Sequence, residues 1–142
     1  MKECNVRRKL GTELRRMGFH VSQIESHDTS AGIPDTHYFG HNTDGFIELK
    51  VAKINGAVAI RNTQKSWFRD RIKAGARHQY LLVGIDNGVD RIQYAICRVN
   101  ESNVNVLFSS DCKWRTVVEN ATEIWYDEID HAELARIIVQ EA

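Results

Sequence analysis

The chain has 142 residues, and its 19 Lys and Arg balance its 19 Asp and Glu, so the formal net charge is zero. This length suits one domain with its own core, without disulfides or a structural metal. No apolar run approaches the roughly 20 residues of a membrane span, and the N-terminal MKECNVRRKL lacks the apolar centre of a signal peptide. We therefore expect a cytoplasmic protein with no membrane partner.

The charges are unevenly distributed along the chain. Residues 1–80 hold 14 Lys and Arg against 8 Asp and Glu, whereas residues 81–142 hold 5 against 11. The two parts therefore carry net charges of +6 and −6. Such an asymmetry is compatible with one basic face for a polyanion and an acidic face elsewhere.

The first half of the chain predicts a helix followed by three strands. Apolar residues at helical spacing, closed by Gly18, indicate a helix over 2–17. FHVSQIE (19–25) alternates like a strand. IPDTHYFG and GFIELKVAK then predict two strands joined around HNTDG, whose Asp-Gly is typical of a turn.

The second half predicts a helix, further strands and a final helix. Asn62 or Thr63 can cap a helix that ends near Ala74 before Gly75. RHQYLLVGI is typical of a strand covered on both faces, RIQYAICRV and NVNVLF indicate further strands, and a short helical or irregular piece follows near WRTVVEN. A last helix runs from Asp130. This order predicts an α/β fold in which helices flank a central mixed sheet.

Three charged residues stand where a strand pattern predicts burial. The period of two in GFIELKVAK places Glu48 and Lys50 on one face of their strand, opposite Ile47 and Leu49. Asp35 opens the preceding strand after Pro34, the only proline, whose fixed φ makes a rigid entry. Buried charges cost free energy unless they are paired or used, so this group is a candidate site.

The residue types in this group fit phosphodiester hydrolysis. Two carboxylates on neighbouring strands can hold Mg²⁺, which prefers oxygen ligands and completes its shell with water and substrate phosphate. Mn²⁺ fits the same ligands. An ammonium beside them can orient or help deprotonate a water, or neutralise charge that builds on phosphorus.

The spacing of these residues resembles a known family. Pro34-Asp35 followed after thirteen residues by Glu48-Leu49-Lys50 is similar to the motif of the PD-(D/E)XK nuclease superfamily. More narrowly, GIPD, FIELK and Gln64-x-x-Trp67 before Gly75 resemble the VRR-NUC-type nucleases that are common in phages and related to Holliday junction resolvases. The likeness covers about residues 1–84, and the tail from 85 to 142 matches no pattern.

The resemblance implies a role for each matching residue. Asp35 and Glu48 would be metal ligands together with the main-chain carbonyl of Leu49, Lys50 would position the attacking water, and Gln64 would lie near that water or the scissile phosphate. The family often adds a Glu on the first helix, for which this chain offers Glu3 and Glu13. At 100° per residue Glu3 lies nearer the centre of the apolar stripe, so Glu3 is the preferred candidate for a further ligand.

Basic residues supply candidate DNA contacts. They lie on the first helix, beside the motif-bearing strand and along the second helix, where three of them recur every four residues. Such residues would contact phosphates without reading sequence, and binding would weaken with salt. The candidates are Arg7, Arg8, Lys53, Arg61, Lys65, Arg69 and Lys73.

Together these features predict a single nuclease domain over residues 1–142 with a restriction-endonuclease-like core. The motif-bearing part is 1–84, and 85–142 adds strands and the C-terminal helix. The expected activity is Mg²⁺-dependent cleavage of DNA, selective for branched structures in phage recombination or replication, by a homodimer in the cytoplasm (of the host if phage-encoded), with no organic cofactor. Two-fold symmetry is expected because junction cutting needs two sites.

Other functions compete with this prediction. Pro-Asp is a common turn dipeptide, and Glu-x-Lys also occurs as a solvated strand pair. A less selective nuclease that nicks or trims DNA has the same motif. A nucleic-acid-binding or assembly protein on the same fold, without activity, is the alternative from another class.

Overall fold

The computed structural model describes residues 3–24, 32–53, 56–86, 92–126 and 128–140. Helices and strands alternate irregularly along these segments. Their bounds are α1 (Glu3–Arg16), β1 (His20–Gln23), β2 (Thr36–Gly40), β3 (Thr43–Lys53), α2 (Asn62–Lys73), β4 (Gln79–Asp86), β5 (Ile92–Arg98), α3 (Val104–Leu107), α4 (Trp114–Glu119), β6 (Glu123–Trp125) and α5 (His131–Gln140).

The six strands form one mixed sheet in the order β1-β2-β3-β4-β5-β6. β3 and β4 run parallel at its centre, with α2 as the crossover between them, and the other neighbours are antiparallel. All of β4 except Asp86 is buried, as its continuous apolar sequence predicts. Helices pack on both faces, which confirms the predicted α/β fold with a central mixed sheet.

Each face of the sheet has its own apolar core. One core joins Leu10 of α1 and Leu134 of α5 to Ile47 of β3. The other joins Phe68 of α2 and Val117 of α4 to the opposite side of β4 and β5. Within the described segments, no helix has both the length and the apolar character that crossing a membrane requires.

The first helix follows its apolar pattern. The members of the stripe in α1, Val6, Leu10 and Leu14, are almost fully buried and pack on the sheet. Gly18 follows with φ +94°, a conformation that glycine adopts without the Cβ clash of other residues. The predicted helix over 2–17 is therefore α1, and the predicted strand over 19–25 is β1, whose last residue is Gln23.

The turn between β2 and β3 lies earlier than predicted. Gly40 pairs with Thr43, so the loop consists of His41 and Asn42, both with positive φ (50° and 64°). This is the backbone of a two-residue hairpin turn that follows the twist of the strands. The Asp-Gly dipeptide lies inside β3 instead, where Gly45 is needed because a Cβ would clash with the Tyr38 hydroxyl and the His78 carbonyl.

The start of α2 is also one residue earlier than predicted. Arg61, in an extended conformation, occupies the cap position, and Asn62 and Thr63 belong to the first turn. The Arg61 backbone N–H donates to Oε1 of Gln64 at 3.2 Å, which is the side-chain-to-backbone half of a capping box. The cap contact is therefore made by Gln64, a candidate site residue.

The segment NVNVLF is helical and not a strand. Asn100 and Asn103 close a turn in which the Asn100 N–H donates to Oδ1 of Asn103 at 2.8 Å, and the Asn103 amide donates to the Arg98 carbonyl. Such side-chain bonds to backbone offer the chain an alternative to a sheet ladder. Val104 and Leu107 then share one buried side of α3. The sixth strand is β6 (Glu123–Trp125), which the sequence pattern did not predict.

Candidate active site

β3 carries two charged side chains toward α2. Glu48 pairs in register with Leu81 of β4, which belongs to the core beneath α2, whereas Ile47 and Leu49 face the α1 side. Glu48 is 3% exposed, and its Oε2 lies 3.3 Å from Nζ of Lys50. The strand period therefore places a carboxylate and an ammonium in contact on the same face.

Asp35 joins this pair through backbone hydrogen bonds. Its own N–H donates to Oε1 of Glu48 at 3.0 Å, and its Oδ2 accepts the N–H of Leu49, also at 3.0 Å. Asp35 immediately precedes β2, so its side chain takes a backbone donor of β3 beyond the last β2–β3 pair. These two backbone hydrogen bonds thereby fix the two carboxylates relative to each other.

A neighbouring threonine supports Asp35. Thr36 is 1% exposed, and its Oγ1 lies 2.8 Å from Oδ1 of Asp35 and 3.1 Å from Oε1 of Gln23 in β1. A hydroxyl has one proton and can donate to only one of these oxygens at a time. Thr36 thus links the carboxylate to the edge strand, a contact for which the sequence motif gives no signal.

Gln64 closes the cluster from the side of α2. This side chain is 1% exposed, and its Nε2 donates to Oε2 of Glu48 at 3.0 Å. Gly32 brings the Asp35 segment against the same turn, because with φ +81° its backbone lies so close that a Cβ would clash with the Thr63 carbonyl. Two segments distant in sequence therefore meet at Glu48.

Burial makes both acids weaker. It raises the pKa of Asp35 to about 7, with a further contribution from Glu48, against the opposing effects of the Leu49 and Thr36 hydrogen bonds and of Arg7. Burial also raises the pKa of Glu48, although Lys50, the Asp35 N–H and Gln64 favour its charged form. The cluster thus holds two carboxyl groups whose joint ionisation is costly.

This donor set fits a divalent cation that prefers oxygen. Asp35 accepts two hydrogen bonds and Glu48 accepts three contacts, so both keep acceptor capacity. A cation would relieve the cost of ionising both. Among the described residues no group of three or more His, Cys, Asp or Glu side chains is placed to hold a metal.

The structure describes the side chain of only one of the two candidate acids of the first helix. Glu3 begins α1, but its side chain lies outside the described part of the structure. Glu13 forms an ion pair with Arg16 at 2.7 Å and acts electrostatically on His131 of α5. Arg7 is the α1 residue that acts on Asp35. Its Nε is buried and has no hydrogen-bond partner among the described residues.

The other predicted DNA contacts lie at several places. Arg8, Lys53, Arg61 and Lys73 are exposed. Arg69 donates to the Phe108 carbonyl at 2.7 Å, next to α3. Burial raises the pKa of the Cys112 thiol to about 11, an effect that the nearby Lys65 opposes. Arg69 therefore lies against the end of α3, and Lys65 lies near the loop that follows it.

A further group of aromatic residues beside the cluster was missed from the sequence. Phe46 lies two residues before Glu48 in β3, and its ring contacts Trp67 of α2 at 5.0 Å between centroids. Arg71 lies over both rings. The period of two already placed Phe46 on the same face of β3 as Glu48. Only the packing of α2 shows which basic residue of that helix contacts the Phe46 ring.

Comparison with known proteins finds the fold and no sequence family. No family model matches the chain, and no curated protein matches it in sequence. Its structure is similar to that of Hjc from Archaeoglobus fulgidus, described as a Holliday junction resolvase from an archaeal hyperthermophile. The match covers 93% of this chain and 98% of that chain, with a TM-score of 0.54 and 16% identity. It confirms the predicted restriction-endonuclease-like α/β fold.

Proposed function

We propose that this protein is a metal-dependent endonuclease that hydrolyses phosphodiester bonds in DNA, selectively at branched structures. The observation that carries the proposal is the cluster of buried Asp35, Glu48 and Gln64 with the half-buried Lys50, joined by hydrogen bonds and an ion pair. A core that needed only stability would gain from apolar side chains at these positions. Retention of the charges is typical of a site that uses them.

The fold supports the choice of substrate. The similar archaeal protein is described as a Holliday junction resolvase, and the motif Pro34-Asp35…Glu48-Leu49-Lys50 resembles that of PD-(D/E)XK nucleases. The VRR-NUC-type likeness adds a phage setting, in recombination or replication. Action in the cytoplasm, that of the host if the protein is phage-encoded, belongs to the same proposal.

In the proposed mechanism, Asp35, Glu48 and the main-chain carbonyl of Leu49 would hold the metal, with Glu3 as a further candidate ligand. When bound, Mg²⁺ or Mn²⁺ supplies Lewis-acid stabilisation of the charge that develops on the phosphoryl group. Gln64 and the Asp35 N–H fix the orientation of the Glu48 carboxylate. Both carboxylates are thus held in place before substrate arrives.

Lys50 acts on the attacking water. Its ammonium, 3.3 Å from Glu48, has donors left to orient a water or to stabilise negative charge near phosphorus. In-line attack forms a bond from the water oxygen to phosphorus and breaks the bond from phosphorus to O3′. The water gives up a proton to solvent, and O3′ takes one from solvent and leaves as a hydroxyl. The products are a 5′-phosphate and a 3′-hydroxyl end.

Residues 1–142 form a single nuclease domain in this proposal, with 85–142 completing the sheet around the motif-bearing part. Arg7, Arg8, Lys53, Arg61, Lys65, Arg69 and Lys73 are the proposed phosphate contacts, and Lys65 and Arg69 would have to make theirs from the α3 side. Paired incisions at a junction require two sites, so the active form would be a homodimer.

Cleavage of a labelled four-way junction beside a linear duplex of the same sequence tests the proposal. The assay compares wild type with Lys50→Ala, with Mg²⁺ or with EDTA. Lys113→Ala is the matched control, because it removes an exposed lysine outside the cluster. We expect paired junction cuts with Mg²⁺, lost with EDTA and in Lys50→Ala but retained in Lys113→Ala.

The other outcomes separate the alternatives. Equal cutting of junction and duplex would keep the nuclease and remove the branch selectivity. DNA binding without cutting, in both Mg²⁺ and Mn²⁺, would indicate a binding or assembly protein on a nuclease fold. Neither binding nor cutting by the folded protein would contradict the proposal as a whole.

A further inference from the structure

The side chain of Arg71 in α2 packs against the rings of Phe46 and Trp67, which together form an aromatic platform. The Arg71 guanidinium carbon lies 5.1 Å from the centre of the Phe46 ring and 4.8 Å from that of Trp67. Each ring attracts the cation through its negative face, and the two together restrict the guanidinium to a narrow range of positions. The two rings stand at 72° to each other, so the guanidinium can lie flat on only one of them, and the N–H groups on its outer edge can still donate.

Arg71 forms no ion pair within the described segments. Arg69, two residues earlier, donates to the Phe108 carbonyl on another side of the helix. The positions of these two arginines in the sequence do not show which of them is available to bind a ligand. The structure does, because one guanidinium is used in the fold while the other is held in place with its donors available.

The platform continues directly from the catalytic cluster. Phe46 is two residues from Glu48 on the same face of β3, and Arg71 is seven residues from Gln64 on α2, about 10 Å along the helix axis. An open cavity of about 580 Å³ runs along this side of α2. Its lining is Asn62, Thr63, Ser66, Trp67, Asp70 and Arg71.

We propose that Arg71 binds a backbone phosphate of the DNA strand and so positions that strand for cleavage at the cluster. A planar guanidinium can donate two parallel hydrogen bonds to phosphate oxygens, and the rings beneath it reduce the conformational freedom that binding would remove. The hydroxyl and amide groups of Asn62, Thr63 and Ser66 add donors along the same cavity. Asp70 lines the same end of the cavity as Arg71 and repels phosphate, so the attraction there must come from the Arg71 guanidinium. The inference rests on the proposed DNA nuclease function.

DNA affinity in a non-cleaving background tests this assignment. In Lys50→Ala protein, we would measure binding of a labelled four-way junction by fluorescence anisotropy at several salt concentrations. Arg71→Ala is expected to weaken binding about 10-fold and to reduce the slope of log affinity against log salt by about 1. Arg77→Ala, which removes an exposed arginine that lies over no ring of the described segments, is expected to change affinity less than about 2-fold.

Two further variants separate charge from stacking. Arg71→Lys keeps the charge but loses the planar fork, so we expect a salt slope close to that of the parent and an affinity about 3-fold weaker. Trp67→Leu removes one supporting ring while leaving the guanidinium, with a similar expected loss. Thermal unfolding of each variant shows whether it is folded, and Arg71→Lys provides the folded comparison if Arg71→Ala is not.

The results also distinguish a failure of the role of Arg71 from a failure of the proposed nuclease function on which it rests. Equal affinity and equal salt slope for Arg71→Ala and Arg77→Ala, with junction cleavage intact in the wild-type background, would overturn the role of Arg71 alone. Absence of DNA binding by the folded parent would overturn the proposed nuclease together with it.

Discussion

Two polar clusters of this molecule, one in a part-buried turn and one buried beneath α2, differ in whether the fold satisfies their side chains. In the turn before α3, Asn100 and Asn103 are neutral amides whose bonds end on nearby backbone, including the Ser102 N–H and the Arg98 carbonyl. In the cluster at β3, Asp35 and Glu48 are acids whose burial raises both pKa values even with every donor in place. The amide groups of the first cluster find their hydrogen-bond partners within the fold, whereas the charges of the two acids in the second are not balanced by it.

This difference indicates separate roles. A closed amide network specifies a turn and contributes to stability. A pair of acids whose charged forms are destabilised, and which can still accept contacts, is typical of a site whose charge is balanced by a bound cation. Substitutions in the two clusters should therefore have opposite effects on stability and on activity.

The largest expected effect is on cleavage by Glu48→Gln. The substitution removes the proposed ligand charge while keeping the side-chain shape, so we expect the junction cleavage rate to fall about 10³-fold, equivalent to about 4 kcal/mol in the barrier. Single-turnover cleavage with Mg²⁺ measures it. A rate within a factor of 10 of wild type would contradict a catalytic role for this cluster.

Asp35→Asn should stabilise the metal-free protein. The asparagine can still accept the Leu49 N–H, and Thr36 can rotate to accept from the new amide while donating to Gln23. With the charge gone, we expect the free energy of unfolding at pH 8 in EDTA to rise by about 1 to 3 kcal/mol. Urea unfolding measures this gain.

The pH dependence of that gain follows from the pKa of Asp35. The folded protein holds the proton up to a pKa of about 7, whereas the unfolded chain releases it near 3.8. Wild-type stability is therefore lost as pH rises from about 4 to about 7, and the advantage of Asp35→Asn should grow over the same range and then level off. Added Mg²⁺ should reduce the advantage by stabilising wild type. A constant difference between pH 4 and pH 8 would contradict this account.

Asn103→Ala should have the reverse effect. It removes the hydrogen bonds that the Asn103 side chain makes with the Asn100 N–H and the Arg98 carbonyl in a part-buried turn, so we expect a loss of about 1 to 2 kcal/mol in the free energy of unfolding. The cleavage rate per folded molecule should stay unchanged at temperatures well below unfolding. Loss of activity in the folded variant would remove the contrast between the clusters.

The smallest expected effect concerns His131, where α5 meets α1. Burial lowers its pKa, as does Lys9, while Glu13 and Asp130 oppose the shift. The unfolded chain therefore binds a proton more readily, and stability should fall as pH drops below about 6.5. His131→Gln should lessen the decrease in Tm between pH 7.5 and pH 5.5 by about 1 °C. An unchanged pH profile would show that this histidine does not contribute.

Much of the cluster could be predicted because its geometry is local. The period of two fixes the common face of Glu48 and Lys50, and the short connection between β2 and β3 predicts a hairpin that brings Asp35 near them. The register that places Asp35 beside Glu48 depends on the turn at His41 and Asn42, which the sequence did not predict. Gln64 was expected near the site from the resemblance, and the structure shows its amide bonded to Glu48. Thr36 could not be predicted, since its contact depends on the placement of β1.

Features set by tertiary packing were harder to predict. Helical spacing groups Lys65, Arg69 and Lys73, but their surroundings depend on α3, whose sequence alternates like a strand and folds as a helix through the Asn100 and Asn103 turn. For the same reason Arg71 had no distinguishing sequence signal. The roles of all these residues in DNA binding stay predictions until the variants are measured.

The contact between Gly32 and the first turn of α2 has a consequence for how this site tolerates change. No atom of Gly32 takes part in the chemistry, yet the room it leaves determines how closely the Asp35 segment approaches Gln64. Even a methyl group would push the two segments apart. A scan of all substitutions should therefore find position 32 as intolerant as the charged positions of the cluster. In this protein the site requires a missing side chain at one position as strictly as it requires a carboxylate at another.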